Sequence, residues 1–261
     1  MAKREISGSR AIVTGASSGI GRALVVELAR QGAKVVATAR RQERLDALRS
    51  EVESAVGTVV TLTGDVTDAA TRQKLLETAQ EQFGGLDILV NNAGVGAMGR
   101  FEQADAERLR RVMEVNFFAP VELIRQSLPM LAEGKRPIIV NVSSILGLRA
   151  TPYSSEYSAS KFAIQGFSEA LRTELIRQGI DVLVVCPGTT ETEFFDSVLE
   201  KTEEPSWPEH KPISPEAVAA ATVRAMRRGR HVIIPYGWGK IFCWLNRLSP
   251  RLMDAIMAKY A

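Results

Sequence analysis

Short apolar runs rich in β-branched residues punctuate the chain at 11–14 (AIVT), 34–38 (KVVAT), 58–62 (TVVTL), 86–90 (LDILV), 138–142 (IIVNV), 180–185 (IDVLVV) and 231–235 (HVIIP). Each reads as a strand. Between them the apolar positions recur with a helical period. One such segment is 20–31, closed by Gly32 as a C-terminal cap; another is 42–56, with Leu45, Leu48 and Val52 along one face. Ser214-Pro215-Glu216 supplies an N-cap, a first-turn proline and an acid that complements the helix dipole, so a further helix starts there. Strands that are apolar almost throughout, separated by helices, predict an α/β protein. The expected architecture is a doubly wound parallel sheet of Rossmann type, about seven strands with helices on both faces.

Two stretches break the rhythm. Residues 189–213, with Thr189, Phe194, Phe195, Pro205, Trp207 and Pro208, lack periodicity. A connection of that length in a compact domain usually serves function or moves, so a mobile substrate loop is expected. Glu191 and Glu193 read as its beginning. The segment after Pro235 holds Trp238, Ile241, Phe242, Trp244 and Leu245, then restarts at Ser249-Pro250 with Leu252, Ile256 and Met257. No repeat or low-complexity segment is visible, so residues 1–261 are expected to form a single domain with an apolar helical tail at 236–261. Three roles stay open for that tail: a cover over the substrate cleft, a subunit interface, or a membrane-surface contact through Trp238, Phe242 and Trp244, the last not favoured.

Composition narrows the classes. With 45% hydrophobic and 24% charged residues the chain can bury a full core. Its 33 basic and 30 acidic residues leave a net charge of +3 with no long Lys/Arg block, which argues against nucleic acid as a partner. The densest basic cluster, Arg227, Arg228 and Arg230, reads as a solvated helix end. Cys186 and Cys243 belong to no CxxC or Cys/His cluster, so neither a disulfide framework nor a metal site is expected. The N-terminus lacks an apolar targeting stretch, and no apolar run approaches the ~20 residues that cross a bilayer. A cytoplasmic location is the expectation. His210 and His231 stand apart from any nucleophile pattern, which disfavours a hydrolytic triad.

The first strand runs into Thr14-Gly15-Ala16-Ser17-Ser18-Gly19-Ile20-Gly21, and a helix follows. Glycines there permit a tight turn, a close approach of backbone to pyrophosphate, and close helix–strand packing, while the helix N-terminus offers amide donors to the anion. The end of the second strand chooses the cofactor. NAD-binding sites usually carry an acid there for the ribose 2′-hydroxyl; this chain has Ala39 followed by Arg40 and Arg41. An acid would repel a 2′-phosphate, whereas guanidinium pairs with it. NADP is therefore expected, with NAD the weaker candidate.

Ser144 follows the fifth strand, and Tyr157-Ser158-Ala159-Ser160-Lys161 comes thirteen residues later. At a four-residue spacing on a helix, Tyr157 and Lys161 point the same way. A free phenol titrates near ~10 and needs help to act as an acid/base at neutral pH. A neighbouring ammonium and an oxidised nicotinamide would lower that value, and Ser144 could donate to the substrate oxygen as charge develops. Tyr236-Gly-Trp-Gly-Lys240 also matches Tyr-x-x-x-Lys, but its two glycines disfavour a helix and Val223, not a serine, stands thirteen residues upstream. It reads as chance.

Taken together, these motifs resemble the short-chain dehydrogenase/reductase family. The residues that carry the resemblance are the turn at 14–21, Asp65-Val66, Asn91-Asn92-Ala93-Gly94, Asn116, Asn141-Val142-Ser143-Ser144, Tyr157 with Lys161, and Pro187-Gly188 with Thr192, covering roughly residues 8–192 in the family's order. The resemblance implies hydride transfer between nicotinamide and a carbonyl or alcohol carbon, with Asn116, Ser144, Tyr157 and Lys161 as the catalytic set. Beside the residues already read as holding the pyrophosphate (Gly15, Ser17, Ser18, Gly19, Ile20 and Gly21) and the 2′-phosphate (Arg40), it implies that Asp65 and Val66 meet the adenine. Asn92, Ala93 and Gly94 would pack beside the cofactor, and Lys161 would bind the nicotinamide ribose. Thr190 by its backbone and Thr192 by its hydroxyl, with Pro187 and Gly188, would hold the carboxamide. Asn116 would hold a water in a proton relay with Lys161; a mid-helix Asn is a poor helix former unless its side chain has a task. For Asn91 and Asn92, plain turn chemistry after a strand is an equal alternative. The long tail is similar to members acting on lipophilic ketones, aldehydes and alcohols, and the family implies a homodimer or homotetramer. The rival class is a nonenzymatic dinucleotide-binding regulator on the same fold, which would have no need of an acid/base tyrosine.

Overall fold

The computed structural model describes residues 4–194, 198–201 and 211–260. Phe195, Pro205, Trp207, Pro208 and His210 lie outside the described residues. Seven strands form one parallel sheet in the order β3-β2-β1-β4-β6-β7-β9. These are β1 (Arg10–Thr14), β2 (Lys34–Ala39), β3 (Thr58–Thr63), β4 (Ile88–Asn91), β6 (Ile138–Val142), β7 (Asp181–Val185) and β9 (Val232–Ile233). A two-stranded ribbon lies apart, pairing β5 (Ala97–Met98) with β8 (Leu199–Lys201).

Because side chains alternate across a strand, the sheet feeds two cores. Ala11 and Val13 of β1 and Val35 and Ala37 of β2 pack with Leu24, Val25 and Leu28 of α1 (Gly19–Arg30). The same core takes in Leu45, Leu48 and Val52 of α2 (Gln42–Ser54) and Val218 and Val223 of α7 (Pro215–Arg227). Ile12 and Val36, on the opposite face, meet Leu75 and Leu76 of α3 (Ala69–Phe83), Leu123 and Ile124 of α5 (Ala119–Ala132) and Leu171 of α6 (Ser155–Glu174). Strand residues such as Ile12, Val13, Val36 and Leu89 have no exposed surface, which is why the strands read as unbroken apolar runs.

Helix ends follow the sequence signals. The Ser214 hydroxyl accepts from the Ala217 amide at 3.2 Å, with Pro215 in the first turn. Gly32 takes φ +85 just past α1, and the Ala33 amide donates back to Leu28 C=O at 3.0 Å.

Three expectations change. The 189–213 stretch is not structureless: Thr190 bridges Ile213, and β8 within it joins the ribbon beside Val95 and Val115. The segment after Pro235 does begin a helix at its glycines, α8 (Gly237–Leu248), followed by α9 (Pro250–Met257). A Cβ on Gly239 would stand 2.9 Å from Ile145 Cγ2, so close packing against the body requires the glycine and outweighs its poor helix propensity. Asn116 sits in a single π-helical turn, Glu114–Phe118, between α4 (Ala106–Met113) and α5, not in the middle of a regular α-helix.

Candidate functional site

The strand order reverses between β1 and β4, where a doubly wound sheet opens a crevice at the carboxyl ends of its strands. A cleft of about 540 Å³ lies there. Thr14 ends β1, and its hydroxyl accepts from the amides of Asn92 (3.0 Å) and Ala93 (3.1 Å) after β4. The Asn92 carboxamide donates to Thr14 and Gly15 C=O at 3.0 and 3.2 Å, tying the glycine turn to the neighbouring strand. Gly15 (φ +67) and Gly19 (φ +53) adopt left-handed backbone, and a Cβ on Gly19 would stand 2.8 Å from Thr192 Cγ2. Gly21 faces the other way. A Cβ there would strike Gly15 O at 2.2 Å, so it is the packing glycine behind the turn and not part of the cleft wall.

At the far end of the cleft, Ser144 leaves β6 in extended backbone and its hydroxyl accepts from the Leu146 amide at 3.1 Å. Tyr157 occupies the first turn of α6, and Lys161 lies one turn on, its Nζ 5.6 Å from the Tyr157 ring centre. Lys161 Nζ donates to Val142 C=O at 3.0 Å. Burial pushes the Tyr157 phenol up to about 12, with its hydrogen bond to Ser144 opposing the rise. The ring keeps part of its surface towards the cleft. Burial also brings the Lys161 ammonium down to about 8. Among the protein's own groups, then, burial outweighs the Ser144 hydrogen bond, because taking a phenolate out of water is costly, and the lowering expected from Lys161 does not set the phenol.

Of the residues the sequence singles out, Ser144, Tyr157, Lys161, Gly15, Ser17, Ser18, Gly19, Ile20, Arg40, Asp65, Val66, Asn92, Ala93, Gly94, Pro187, Gly188, Thr190 and Thr192 all line this one cleft. Asn116 does not. Its carboxamide accepts from the Val95 amide and donates to Val95 C=O and the Ser160 hydroxyl, each at 2.9 Å. Its side chain is thus a clamp on the loop after β4. Asn91 faces the sheet interior: its Nδ2 donates to Asn141 at 2.9 Å, which donates to Ser168 at 2.8 Å.

Two features escaped the sequence. Arg41, not Arg40, reaches the glycine turn, donating to Ser17 Oγ at 3.0 Å and Ser18 Oγ at 2.8 Å. It also pairs with Glu193 at 2.9 Å, and Arg44 holds the same carboxylate at 3.2 Å; the Arg41 hydrogen bond, then the Arg44 charge, hold the Glu193 carboxyl below its usual range. Arg40 is 69% exposed and lies 3.9 Å from Asp65, while Arg22 pairs with Glu51. The second is a buried ion pair, Arg108 of α4 with Glu156 at 2.5 Å, one residue before Tyr157. Neither partner belongs to a motif; only proximity in the fold brings them together.

The Phe194 ring leans on Tyr157 at 56°, with ring centres 5.5 Å apart. The walls on that side are apolar: Val95, Ala97, Met98, Leu146, Phe194 and Val198. Trp238, Phe242 and Trp244, for which a cover over the substrate cleft is one of three open roles, are not among the lining residues, and both tryptophans are mostly exposed. Tyr236 lies at the N-terminus of α8 with its ring against Gly188, and Lys240 points to solvent. Cys186 is buried beside Gln165, its thiol pushed up to about 12 by burial. No group of metal-ligating side chains occurs among the described residues.

The family model for short chain dehydrogenases matches residues 9–203. The chain belongs to the short-chain dehydrogenase family. Its sheet with helices on both faces is the fold of that family's solved members. One of these, a short-chain dehydrogenase/reductase from Burkholderia phymatum in complex with NAD, superposes with a TM-score of 0.87 at 26% identity, covering 95% of this chain and 96% of that one. A glycine betaine reductase of Emericella nidulans is 36% identical over 236 residues, 88% of this chain but 18% of that protein. A 3-ketodihydrosphingosine reductase of Bacteroides thetaiotaomicron is 37% identical over 186 residues, 71% of this chain and 65% of that one. This chain thus spans only a part of either reductase's length. Short-chain dehydrogenases are oxidoreductases that use NAD or NADP and act on small molecules.

Proposed function

We propose that this short-chain dehydrogenase is an NADP(H)-dependent reductase of a lipophilic ketone or aldehyde, with Tyr157 as its general acid/base. The observation that carries the reading is the convergence of Ser144, Tyr157 and Lys161 on the cleft that also holds the glycine turn.

The cradle suits a dinucleotide: at Gly15 and Gly19 the chain takes left-handed backbone where a side chain would collide with Ala93 or Thr192. Bound there, NADP(H) would supply hydride-transfer chemistry. Tyr157 would give its proton to the substrate oxygen in reduction and take it back in oxidation. Its place in the first turn of α6 sets the positive end of the helix dipole beside any developing phenolate. The Ser144 hydroxyl, which accepts from Leu146 and keeps its own hydrogen, would donate to the same oxygen. Lys161 would bind the nicotinamide ribose and restore the Tyr157 proton, and Asn116 would act as a positioning residue through Val95.

Preference for the 2′-phosphate rests on the absence of an acid at Ala39 and on Arg41 with Ser17 and Ser18. Glu193 is the carboxylate already paired with Arg41 and Arg44, so a 2′-phosphate would compete with it. The lipophilic substrate is supported by the apolar wall from Val95 to Val198, since the two named reductases act, by their names, on unlike substrates. A homodimer or homotetramer, on the family resemblance, and a cytoplasmic location, on two cysteines that are both free thiols, complete the proposal.

A panel of carbonyls, from small and polar to long-chain, assayed with NADPH and NADH by nicotinamide absorbance tests it. Turnover of apolar ketones or aldehydes with NADPH preferred is expected. Binding of cofactor without turnover of any carbonyl or alcohol would instead fit a regulator.

A further inference from the structure

Helix α8 is amphipathic with respect to the body of the protein. Gly239 is buried, and Phe242, Cys243 and Asn246 are half-buried. The opposite side is apolar and open: Trp238 is 58% exposed, Ile241 48%, Trp244 60% and Leu248 63%, and Leu252 of α9 continues the patch at 54%. Positions 238, 241, 245 and 248 recur at the spacing of one helix face. Exposed Lys240, Arg247 and Arg251 accompany it.

The same segment carries the net charge of the chain. Residues 236–261 contain four basic side chains and one acid, which leaves 29 basic and 29 acidic residues before them. That single acid, Asp254, is paired with Arg149 of the body at 2.7 Å. The patch is therefore apolar and basic on an otherwise balanced protein.

We propose that α8 and α9 dock on an anionic lipid surface, with Trp238, Trp244 and Leu248 entering the headgroup boundary and Lys240, Arg247 and Arg251 meeting lipid anions. Indole rings suit that boundary because their body is apolar and their N–H is polar. A basic amphipathic helix with aromatic and Leu anchors binds such surfaces through buried apolar area plus attraction to anionic headgroups. A second copy of the chain is a poorer occupant, because a two-fold contact through this patch would set its basic side chains against themselves. No helix among the described residues is long and apolar enough to cross the bilayer, so the contact is with one leaflet. Tyr236 and Gly239, at the start of α8, pack on Gly188 and Ile145, two residues of the cleft wall. Docking would accordingly bring the cleft close to the lipid phase. Only this last consequence rests on the proposed lipophilic substrate.

The test is co-sedimentation of the full chain with phosphatidylcholine vesicles that contain or lack phosphatidylserine, at low and high salt. Expected is binding to the phosphatidylserine vesicles that weakens about tenfold or more without the anionic lipid or at high salt. Trp238→Ser/Trp244→Ser should lower that binding by about tenfold or more, and Lys240→Glu/Arg247→Glu/Arg251→Glu should remove the preference for anionic lipid. These positions are exposed, so both variants should keep their circular dichroism and their NADPH reduction of a water-soluble carbonyl. Wild-type protein left in solution by both kinds of vesicle overturns the proposal. So does a tryptophan variant whose oligomer dissociates in light scattering while vesicle binding is unchanged, which would make the patch a subunit interface.

Discussion

At the scale of single residues the site is governed by burial. Lys161 is 4% exposed, and its ammonium is brought down to about 8 from an ordinary 10.5. Between those values the unfolded chain holds a proton that the folded protein has released, so folding becomes more favourable as pH rises through that window. Tyr157 works the other way: its phenol is pushed up to about 12, so stability falls once the unfolded tyrosine ionises above ~10. The expected Lys161 contribution in the protein without cofactor is a gain from pH 8 to 10 on the order of 2–3 kcal/mol, opposed in the whole protein by the thiols of Cys186 and Cys243, which burial keeps protonated over the upper part of that range. The comparison with Lys161→Met, by denaturant melts across that range, isolates it; a difference that stays flat would mean Lys161 keeps its ordinary value. The buried Arg108–Glu156 pair is the second residue-scale device. Removing one partner of such a pair strands the other charge, at about 3–5 kcal/mol, so Arg108→Met should lower the melting temperature sharply. Because Glu156 precedes Tyr157, Glu156→Gln should also reduce kcat more than it raises KM.

Among elements, the informative contact is the one between the start of α2 and the segment after β7. Arg41 and Arg44 hold Glu193 while Arg41 also touches Ser17 and Ser18, so the proposed phosphate site and the loop beyond Thr192 share one guanidinium. All three side chains are partly exposed, so solvent screens the pairing and it competes only weakly. Glu193→Gln should therefore tighten NADPH about two- to fivefold and leave NADH unchanged, by fluorescence titration. Arg41→Ala should weaken NADPH tenfold or more with little effect on NADH, since a charge-assisted bond contributes ~1.5–3 kcal/mol. Equal effects on both cofactors would remove Arg41 from phosphate recognition. The sequence pointed to Arg40, the first basic residue after the strand, although Arg41 follows it directly. Which one turns inward depends on the backbone entering α2, and pattern alone carries no information on that. The helix at the Tyr236 motif was hidden for a related reason: Gly239, which would weaken an isolated helix, is the residue that lets α8 approach Ile145.

For the whole molecule, the strand runs and their helices were legible because a parallel sheet buried on both faces leaves its pattern in every strand. The glycine turn, Ser144, Tyr157 and Lys161 were legible because their spacing survives as local sequence. What sequence left obscure comes from contacts between distant segments: the ribbon joining Ala97–Met98 to Leu199–Lys201, the packing of α8, and the clamp by Asn116 on Val95. The account's central claim is that this assembly brings cofactor and carbonyl to one phenol. Single-turnover reduction with saturating NADPH by wild type and Tyr157→Phe, alongside NADPH affinity for both, tests that claim most directly. The account predicts a loss of about 10²–10⁴-fold in rate, with cofactor affinity within about twofold and Tyr236→Phe close to wild type. A Tyr157→Phe protein that keeps more than a tenth of the wild-type rate would contradict it.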